Sequence, residues 1–156
     1  MIRLIAVGRL RDGPEAALFR HFQQQIRPPL MLTEIAEARG SRDDIVGREA
    51  KSVLDALPDR ALLVALDQGG TAMDTQAFAA ALETWLGGQR PLCFAIGGAE
   101  GFDRAVLDRA DVVLSLGKMT WPHRLVRVML AEQIFRARAI ASGHPYHRAG
   151  RPDGGP

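Results

Sequence analysis

The 156-residue sequence has little cysteine and no long apolar run, and each absence excludes a class of protein. Its one cysteine, Cys93, cannot form an intramolecular disulfide, so the chain is not a disulfide-stabilised secreted domain. No apolar run reaches the length of about 18 residues that a membrane helix needs. The apolar segment at residues 1–7 is too short for a signal peptide. We therefore expect a cytoplasmic protein without membrane segments.

Candidate nucleophiles and metal ligands are also scarce. Cys93 lies in the apolar run 92–96, which is typical of a buried strand, so we interpret it as a small core residue. His144 and His147 are three residues apart, but no cysteine or carboxylate stands at a spacing that would complete a zinc site. The sequence therefore predicts no metal.

The net charge of +2 conceals an uneven distribution along the chain. Residues 1–60 carry ten Lys or Arg against nine Asp or Glu, residues 61–116 carry three against seven, and residues 117–156 carry seven against two. The last quarter is therefore strongly basic. A concentrated positive patch on a globular domain favours a polyanionic partner, most often a nucleic acid.

The hydrophobic pattern repeats as five strand and helix units. Short apolar runs predict strands at residues 1–7, 30–36, 61–66, 92–96 and 112–114. Helical spacing and capping residues predict helices at residues 14–26, 41–57, 75–86, 102–110 and 122–142. Uninterrupted apolar strands between helices are typical of parallel sheets buried on both faces. We therefore predict an α/β domain with a mainly parallel sheet of five or six strands flanked by helices.

Three loops that follow predicted strands are candidates for a ligand site. They are residues 66–70, 96–101 and 116–121, and each contains glycine. Glycines at a strand end let a ligand approach main-chain N–H and C=O groups, which suits a flat heterocycle. The pattern Gly97-Gly98-x-x-Gly101 is not the G-x-G-x-x-G signature of dinucleotide sites, so a nicotinamide enzyme is disfavoured.

Five segments of the chain form a recognisable set: 66–70 (LDQGG), 94–101 (FAIGGAEG), 115–123 (SLGKMTWPH), 125–128 (LVRV) and 144–148 (HPYHR). Together they resemble the SPOUT-class family of bacterial ribosomal RNA large-subunit methyltransferase H. The resemblance covers residues 1–148 in length and order. We therefore interpret residues 1–148 as one SPOUT methyltransferase domain, and we expect the Gly- and Pro-rich residues 149–156 to be a disordered tail.

The resemblance implies a fold, an activity and a cofactor. The fold is a SPOUT fold with a C-terminal trefoil knot, which periodicity alone would not predict, and the assembly is a homodimer. The activity is methyl transfer from S-adenosylmethionine to N3 of a pseudouridine in helix 69 of 23S ribosomal RNA, within the assembled ribosome. The residues that would bind the cofactor are Leu66, Gly97, Leu116, Gly117, Lys118, Met119, Thr120 and Trp121.

The C-terminal tail supplies the candidates for the acceptor side of the reaction. The resemblance places His144, Tyr146, His147 and Arg148 beside the acceptor base. Imidazoles titrate near neutral pH, and a tyrosine can stack on a base or hydrogen-bond to it, so we interpret His147 or Tyr146 as orienting or proton-accepting groups. The last predicted helix carries the arginines that we expect to bind RNA, which are Arg124, Arg127 and Arg136.

Two alternative functions stay open at this point. One is methylation of a transfer RNA base by a SPOUT-type enzyme. The other is a non-catalytic ribosome-binding protein that keeps the fold without turnover. Cofactor binding separates the second alternative from the enzymes, because a pure binder has no need of three loops open to a heterocycle.

Overall fold

The structure is a computed structural model that describes residues 1–148. The tail at residues 149–156, which we expected to be disordered, lies outside the described residues. The strands are β1 (Ile2–Val7), β2 (Leu30–Ile35), β3 (Leu62–Ala72), β4 (Leu92–Ile96) and β5 (Val112–Ser115). The helices are α1 (Pro14–Gln23), α2 (Arg42–Asp55), α3 (Thr75–Gly87), α4 (Arg104–Arg109) and α5 (His123–Ala141). Strands and helices alternate along the whole described chain.

All strand pairs in the sheet are parallel, and the strand order is β2-β1-β4-β3-β5. This confirms the predicted α/β class with a parallel sheet of five strands. The pairing register aligns the carboxyl ends of neighbouring strands, with Ala6 opposite Ile96 and Leu66 opposite both Ile96 and Leu114. The loops that follow the strands therefore meet at one edge of the sheet, where parallel α/β folds bind their ligands.

Helices cover both faces of the sheet, which explains why the central strands are apolar throughout. The helices α1, α3 and α5 pack on one face and form the larger core, which contains Phe78, Trp85 and Phe94. The helices α2 and α4 cover the other face, where Cys93 is fully buried, as its sequence context predicted. Within residues 1–148, no helix is long and apolar enough to cross a membrane.

The structure corrects two predicted boundaries that matter for the site. The strand β3 does not end at Leu66: residues 67–70 leave the ladder, and the pairing with β5 resumes at Thr71. The return is possible because residue 70 is glycine, since a Cβ there would lie 2.5 Å from the carbonyl oxygen of Val113. Pro122 is the residue before α5 and not its first helical residue.

Arg127 is the largest fully buried side chain of the protein, and its burial contradicts our prediction that it binds RNA. Its Nη1 donates to Oε1 of Glu34 at 3.0 Å, and its Nη2 donates to the carbonyl oxygens of Val7 and Gly8. These partners lie at the carboxyl ends of β2 and β1. Arg127 therefore ties the first turns of α5 to the edge of the sheet, and it has no exposed atoms for a phosphate.

Because breaking a buried ion pair leaves polar groups without partners, we expect Arg127→Ala to destabilise the fold by roughly 3 kcal/mol. The matched control is Arg138→Ala on the same helix. Arg138 pairs with Glu83 at a half-exposed position, so its loss should cost less than about 1 kcal/mol. Urea unfolding would measure both free energies. A wild-type unfolding midpoint for Arg127→Ala would contradict the anchoring role.

Candidate cofactor and substrate site

The three loops singled out in the sequence meet in one cleft at the carboxyl edge of the sheet. The cleft encloses about 760 Å³ of empty space, its open mouth included. Seven of the eight predicted cofactor residues line it, whereas Lys118 does not: the seven are Leu66, Gly97, Leu116, Gly117, Met119, Thr120 and Trp121. The structure therefore brings together, from three distant segments, seven of the eight residues for which we predicted cofactor binding.

Short hydrogen bonds hold the loops in place. Within the first loop, the N–H of Gly69 donates to Oδ2 of Asp67 at 2.8 Å. Ser115 bonds through Oγ to both the N–H and the carbonyl oxygen of Gly117, each at 3.1 Å, and so shapes the turn after β5. Between loops, Nε2 of Gln68 donates to Oγ1 of Thr120 at 3.0 Å. The walls of the cleft are thus preorganised.

The lining suits a flat heterocycle attached to a polar group. Leucine, isoleucine and aromatic side chains form the walls, and glycine exposes the backbone between them. At Gly117, where φ is +112°, a Cβ would meet no other atom within 4 Å, so the main chain there faces open space. Apolar walls with a few main-chain donors and acceptors are typical of small-molecule sites.

His123 also lines this cleft, and our sequence analysis missed it. Its Nε2 is buried without a hydrogen-bond partner in the described part of the chain. Burial, together with the charges of Arg127 and Arg124, lowers the pKa of His123, and only Glu37 acts in the opposite direction. The imidazole is therefore neutral at neutral pH. The sequence feature that could have indicated a place in the cleft is the position of His123 directly after Trp121 and Pro122, at the start of α5.

The tail after α5 is folded back along the same helix. Gly143, at φ +72°, ends the helix in a Schellman turn, in which the N–H of His144 donates to the carbonyl of Ala139 at 2.9 Å. The Tyr146 ring then packs edge-on against Phe135, with a centroid separation of 4.7 Å. The predicted acceptor-side residues therefore have a defined position on α5.

Glu132 and Arg136 hold the tail residues by hydrogen bonds. The Tyr146 hydroxyl donates to Oε1 of Glu132 at 3.1 Å, and the carboxyl group of Glu132 also accepts from Arg136. Arg136 lies over the Tyr146 ring, with Cζ 4.8 Å from the centroid, and its Nη1 is 3.2 Å from Nδ1 of His147. Burial and the neighbouring Glu132 raise the pKa of Tyr146, so the phenol keeps its proton.

The structure does not bring the tail and the cleft together within one chain. His123 lines the cleft, whereas Tyr146 contacts Phe135, which is twelve residues further along α5. At 1.5 Å per helical residue this is a separation of about 18 Å along the helix axis. Arg136 is engaged by Glu132, whereas Arg124 forms no ion pair with any other residue of 1–148. Within the same residues, no cluster of His, Cys, Asp and Glu is arranged to hold a metal ion.

Comparison with known proteins supports a family assignment. The family model described as "Predicted SPOUT methyltransferase" matches residues 1–147. The chain is 61% identical over 151 residues to ribosomal RNA large subunit methyltransferase H of Gluconacetobacter diazotrophicus, covering 97% of this chain and 99% of that protein. It is 49% identical to the protein of the same name from Acidiphilium cryptum, with coverages of 97% and 96%.

A solved structure shares the fold at low sequence identity. It is that of a probable methylase family protein from Haemophilus influenzae Rd KW20, with a TM-score of 0.58 and 9% identity, covering 96% of this chain and 71% of that one. The chain belongs to the SPOUT methyltransferases and, among them, to the family of ribosomal RNA large subunit methyltransferase H. Its cofactor is S-adenosylmethionine.

The cleft fits this cofactor, and a substitution at Gly97 tests the placement. A Cβ at Gly97 would lie 3.0 Å from the carbonyl carbon of Gly101, so Gly97→Val should displace the loop that forms one wall. We expect at least about a tenfold loss of S-adenosylmethionine affinity by calorimetry, or more than about 1.4 kcal/mol. The control is Gly87→Ala, where a Cβ meets nothing within 4 Å. Wild-type affinity in folded Gly97→Val would contradict the placement.

Proposed function

We propose that the protein methylates N3 of a pseudouridine in helix 69 of 23S ribosomal RNA, acting in the cytoplasm on the assembled ribosome. The observation that carries the proposal is the convergence of three distant loops in one cleft that fits S-adenosylmethionine. The relatives named as ribosomal RNA large subunit methyltransferase H support the class of substrate. The finer assignment of nucleotide and position follows from the resemblance of the site motifs.

The cleft residues contribute to the reaction mainly by positioning. When bound, the cofactor supplies an electrophilic methyl group on a sulfonium. The apolar walls around Leu66, Leu116 and Trp121 would exclude water from the adenosine, and the main chain at Gly97 and Gly117 would hydrogen-bond to it. Holding two reactants in an attack geometry can remove about 7–11 kcal/mol from a barrier, so a strong base is not required. As the N–C bond forms and the S–C bond breaks, the N3–H proton of the acceptor would pass to water at the open mouth of the cleft.

The tail residues would orient the acceptor base by hydrogen bonding and stacking. A guanidinium has no acceptor, so the contact between Arg136 and His147 requires an unprotonated Nδ1 on His147. In the tautomer that this contact favours, Nε2 of His147 carries the hydrogen and can donate to a substrate. Tyr146 keeps its proton and bonds to Glu132. The Nε2–H of His147 is suited to orienting a carbonyl oxygen beside a uracil-like N3, whereas Tyr146, whose one hydroxyl hydrogen bonds to Glu132, would contribute its ring as a stacking surface. Arg148 and His144, which are exposed, flank these two residues in the tail.

A homodimer would resolve the separation between cleft and tail. An apolar groove between α1, α3 and α5 is lined by Leu18, Phe22, Met73 and Met129. Leu116 and Gly117 wall this groove as well as the cleft, and Glu132, which holds the tail, also borders it. In a two-fold dimer across the groove, the same surface of each protomer forms the interface. Because this surface lies between the tail and the cleft, the tail of one protomer would approach the cleft of its partner. We therefore propose one shared site from two protomers.

The trefoil knot is part of the same proposal. Residues 67–70 leave the hydrogen-bond ladder of the sheet, and the chain then pairs with β5 again. The helix α5, which follows β5 in the chain, packs between α1 and α3. In the proposed knot, the chain would cross itself at the loops that form the cleft. A knotted arrangement would keep the segments around Leu66 and Leu116 in contact without further cross-links.

Methylation assays with labelled cofactor would test the function against its alternatives. We expect label in the ribosomal RNA of intact 70S ribosomes, little in protein-free 23S RNA and none in transfer RNA, because the proposed substrate is the assembled particle. Mapping the label would locate the modified nucleotide. Transfer RNA as the preferred acceptor would favour the first alternative, and cofactor binding without turnover on any RNA would favour the non-catalytic binder.

Mixing two inactive variants would test the shared site. Truncation after Gly143 removes the tail but leaves the cleft, whereas Gly97→Val damages the cleft and leaves the tail. Co-refolded in equal amounts, they should recover roughly a quarter of wild-type ribosome methylation, since half of the dimers would contain one complete site. A truncation that removes only residues 149–156 is the control and should remain active. Activity of the Gly143 truncation alone, or no recovery on mixing, would contradict the shared site.

A further inference from the structure

The loop after β1 is held rigidly beside the start of α5. The N–H of Gly8 donates to the carbonyl of Ile35 at 2.7 Å, and the carbonyl of Gly8 accepts from Arg127. Oε1 of Glu34 accepts from the N–H of Leu10 at 2.7 Å while it also pairs with Arg127. The same buried arginine that anchors α5 thus fixes this loop.

Two arginines of this loop point into solvent. Leu10 packs against the core, whereas Arg9 and Arg11 on either side of it are exposed. Within residues 1–148, neither arginine forms an ion pair, because the adjacent Asp12 pairs with Arg20. Nothing in the fold uses these two charges, although the backbone that carries them is firmly held.

These arginines lie at the same edge of the sheet as the cleft. The strand β1 is adjacent to β4, whose carboxyl end leads into the loop containing Gly97. Arg124 precedes Arg127 by about one turn of α5, so it lies near the loop that Arg127 holds. Met119, which lines the cleft, is 72% exposed, and Leu125, which follows Arg124 in α5, is 39% exposed, which adds apolar surface near the cations.

The acidic groups near this loop leave it with an excess of positive charge. Glu34 is neutralised by Arg127, and Asp12 by Arg20. Glu37 lies against Gly8, with Oε1 2.7 Å from the position of a Cβ there, and Oε2 of Glu15 lies 3.7 Å from the equivalent position at Gly13. Neither carboxylate forms an ion pair within residues 1–148, so Arg9, Arg11 and Arg124 exceed them by one positive charge. Sites that bind a single-stranded or unstacked RNA segment typically combine apolar surface with exposed arginines that form no ion pair and that extend from a rigid backbone.

We propose that Arg9 and Arg11, together with Arg124, bind backbone phosphates of the RNA strand that carries the acceptor nucleotide. This inference rests on the proposed function, because it takes RNA as the substrate of the adjacent cleft. It keeps Arg124 from the sequence prediction and replaces the buried Arg127 and the engaged Arg136 by Arg9 and Arg11, for which the sequence offered no signal. Because the backbone of this loop is already held in place, each arginine loses less conformational entropy when it binds.

Salt dependence distinguishes phosphate contacts from a structural role. Each phosphate contact releases condensed counterions and contributes about −0.7 to −0.9 to the slope of log affinity against log salt. The probe is purified 70S ribosomes, with binding measured by sedimentation over a series of KCl concentrations. In Arg9→Gln/Arg11→Gln the slope should become shallower by about 1.4 to 1.8, and affinity at low salt should fall about tenfold or more.

Two further double variants serve as controls. Arg3→Gln/Arg60→Gln removes the same charge from exposed positions near the amino ends of β1 and β3, so it should keep the wild-type slope. Arg9→Lys/Arg11→Lys keeps both charges and should restore most of the affinity, since lysine also binds phosphate. Calorimetric affinity for S-adenosylmethionine should be unchanged in all three variants.

The results would separate this inference from the proposed function. A wild-type slope and affinity in Arg9→Gln/Arg11→Gln would overturn the surface, whatever the methylation assay shows. An equal change in Arg3→Gln/Arg60→Gln would also overturn it, because the effect would then be one of net charge. If the wild type binds ribosomes but transfers no methyl group to them, the proposed reaction fails, whereas a shallower slope in Arg9→Gln/Arg11→Gln would still support the phosphate contacts.

Discussion

The buried guanidinium of Arg127 is the contact on which the arrangement of the site depends. It joins α5 to the carboxyl ends of β1 and β2 through Glu34 and the carbonyls of Val7 and Gly8. Both Nη1 and Nη2 of this buried charge are paired, whereas Nε has no partner within residues 1–148. Moving α5 would leave the two paired donors without partners as well, so this position of α5 is strongly specified. The segment before α5 forms one wall of the cleft, and the residues after it form the tail. One interaction thus sets the geometry of both halves of the proposed site.

The parallel sheet supplies the second constraint. Because Leu66, Ile96 and Leu114 are aligned by the strand pairing, residues 67–70 within β3 and the loops after β4 and β5 must lie side by side, although they are far apart in sequence. Glycine at position 70 lets β3 return to β5, and Ser115 shapes the following turn around Gly117. The cleft is therefore a consequence of strand register and of a few turn residues.

Much of this could be predicted from the sequence, for identifiable reasons. An apolar run such as 92–96 is stable as a strand that helices cover on both faces. The side chains of Ser41 and Asp74 accept hydrogen bonds from the first turns of α2 and α3 and so cap these helices. The burial of Arg127 could not be predicted, because its partners are about 90 and 120 residues away and arginine is usually exposed. Nor could periodicity reveal that the tail folds back along α5, since that depends on Tyr146 meeting Glu132 and Phe135.

We propose that one cleft, built from three loops, holds S-adenosylmethionine next to the edge that would bind RNA. A crystal structure with S-adenosylhomocysteine would locate the cofactor. We expect the adenosine between Leu66, Gly97 and Leu116, with the homocysteine sulfur facing the mouth of the cleft. Density for the ligand in the apolar groove beside Met73 and Phe78, with the cleft empty, would contradict it.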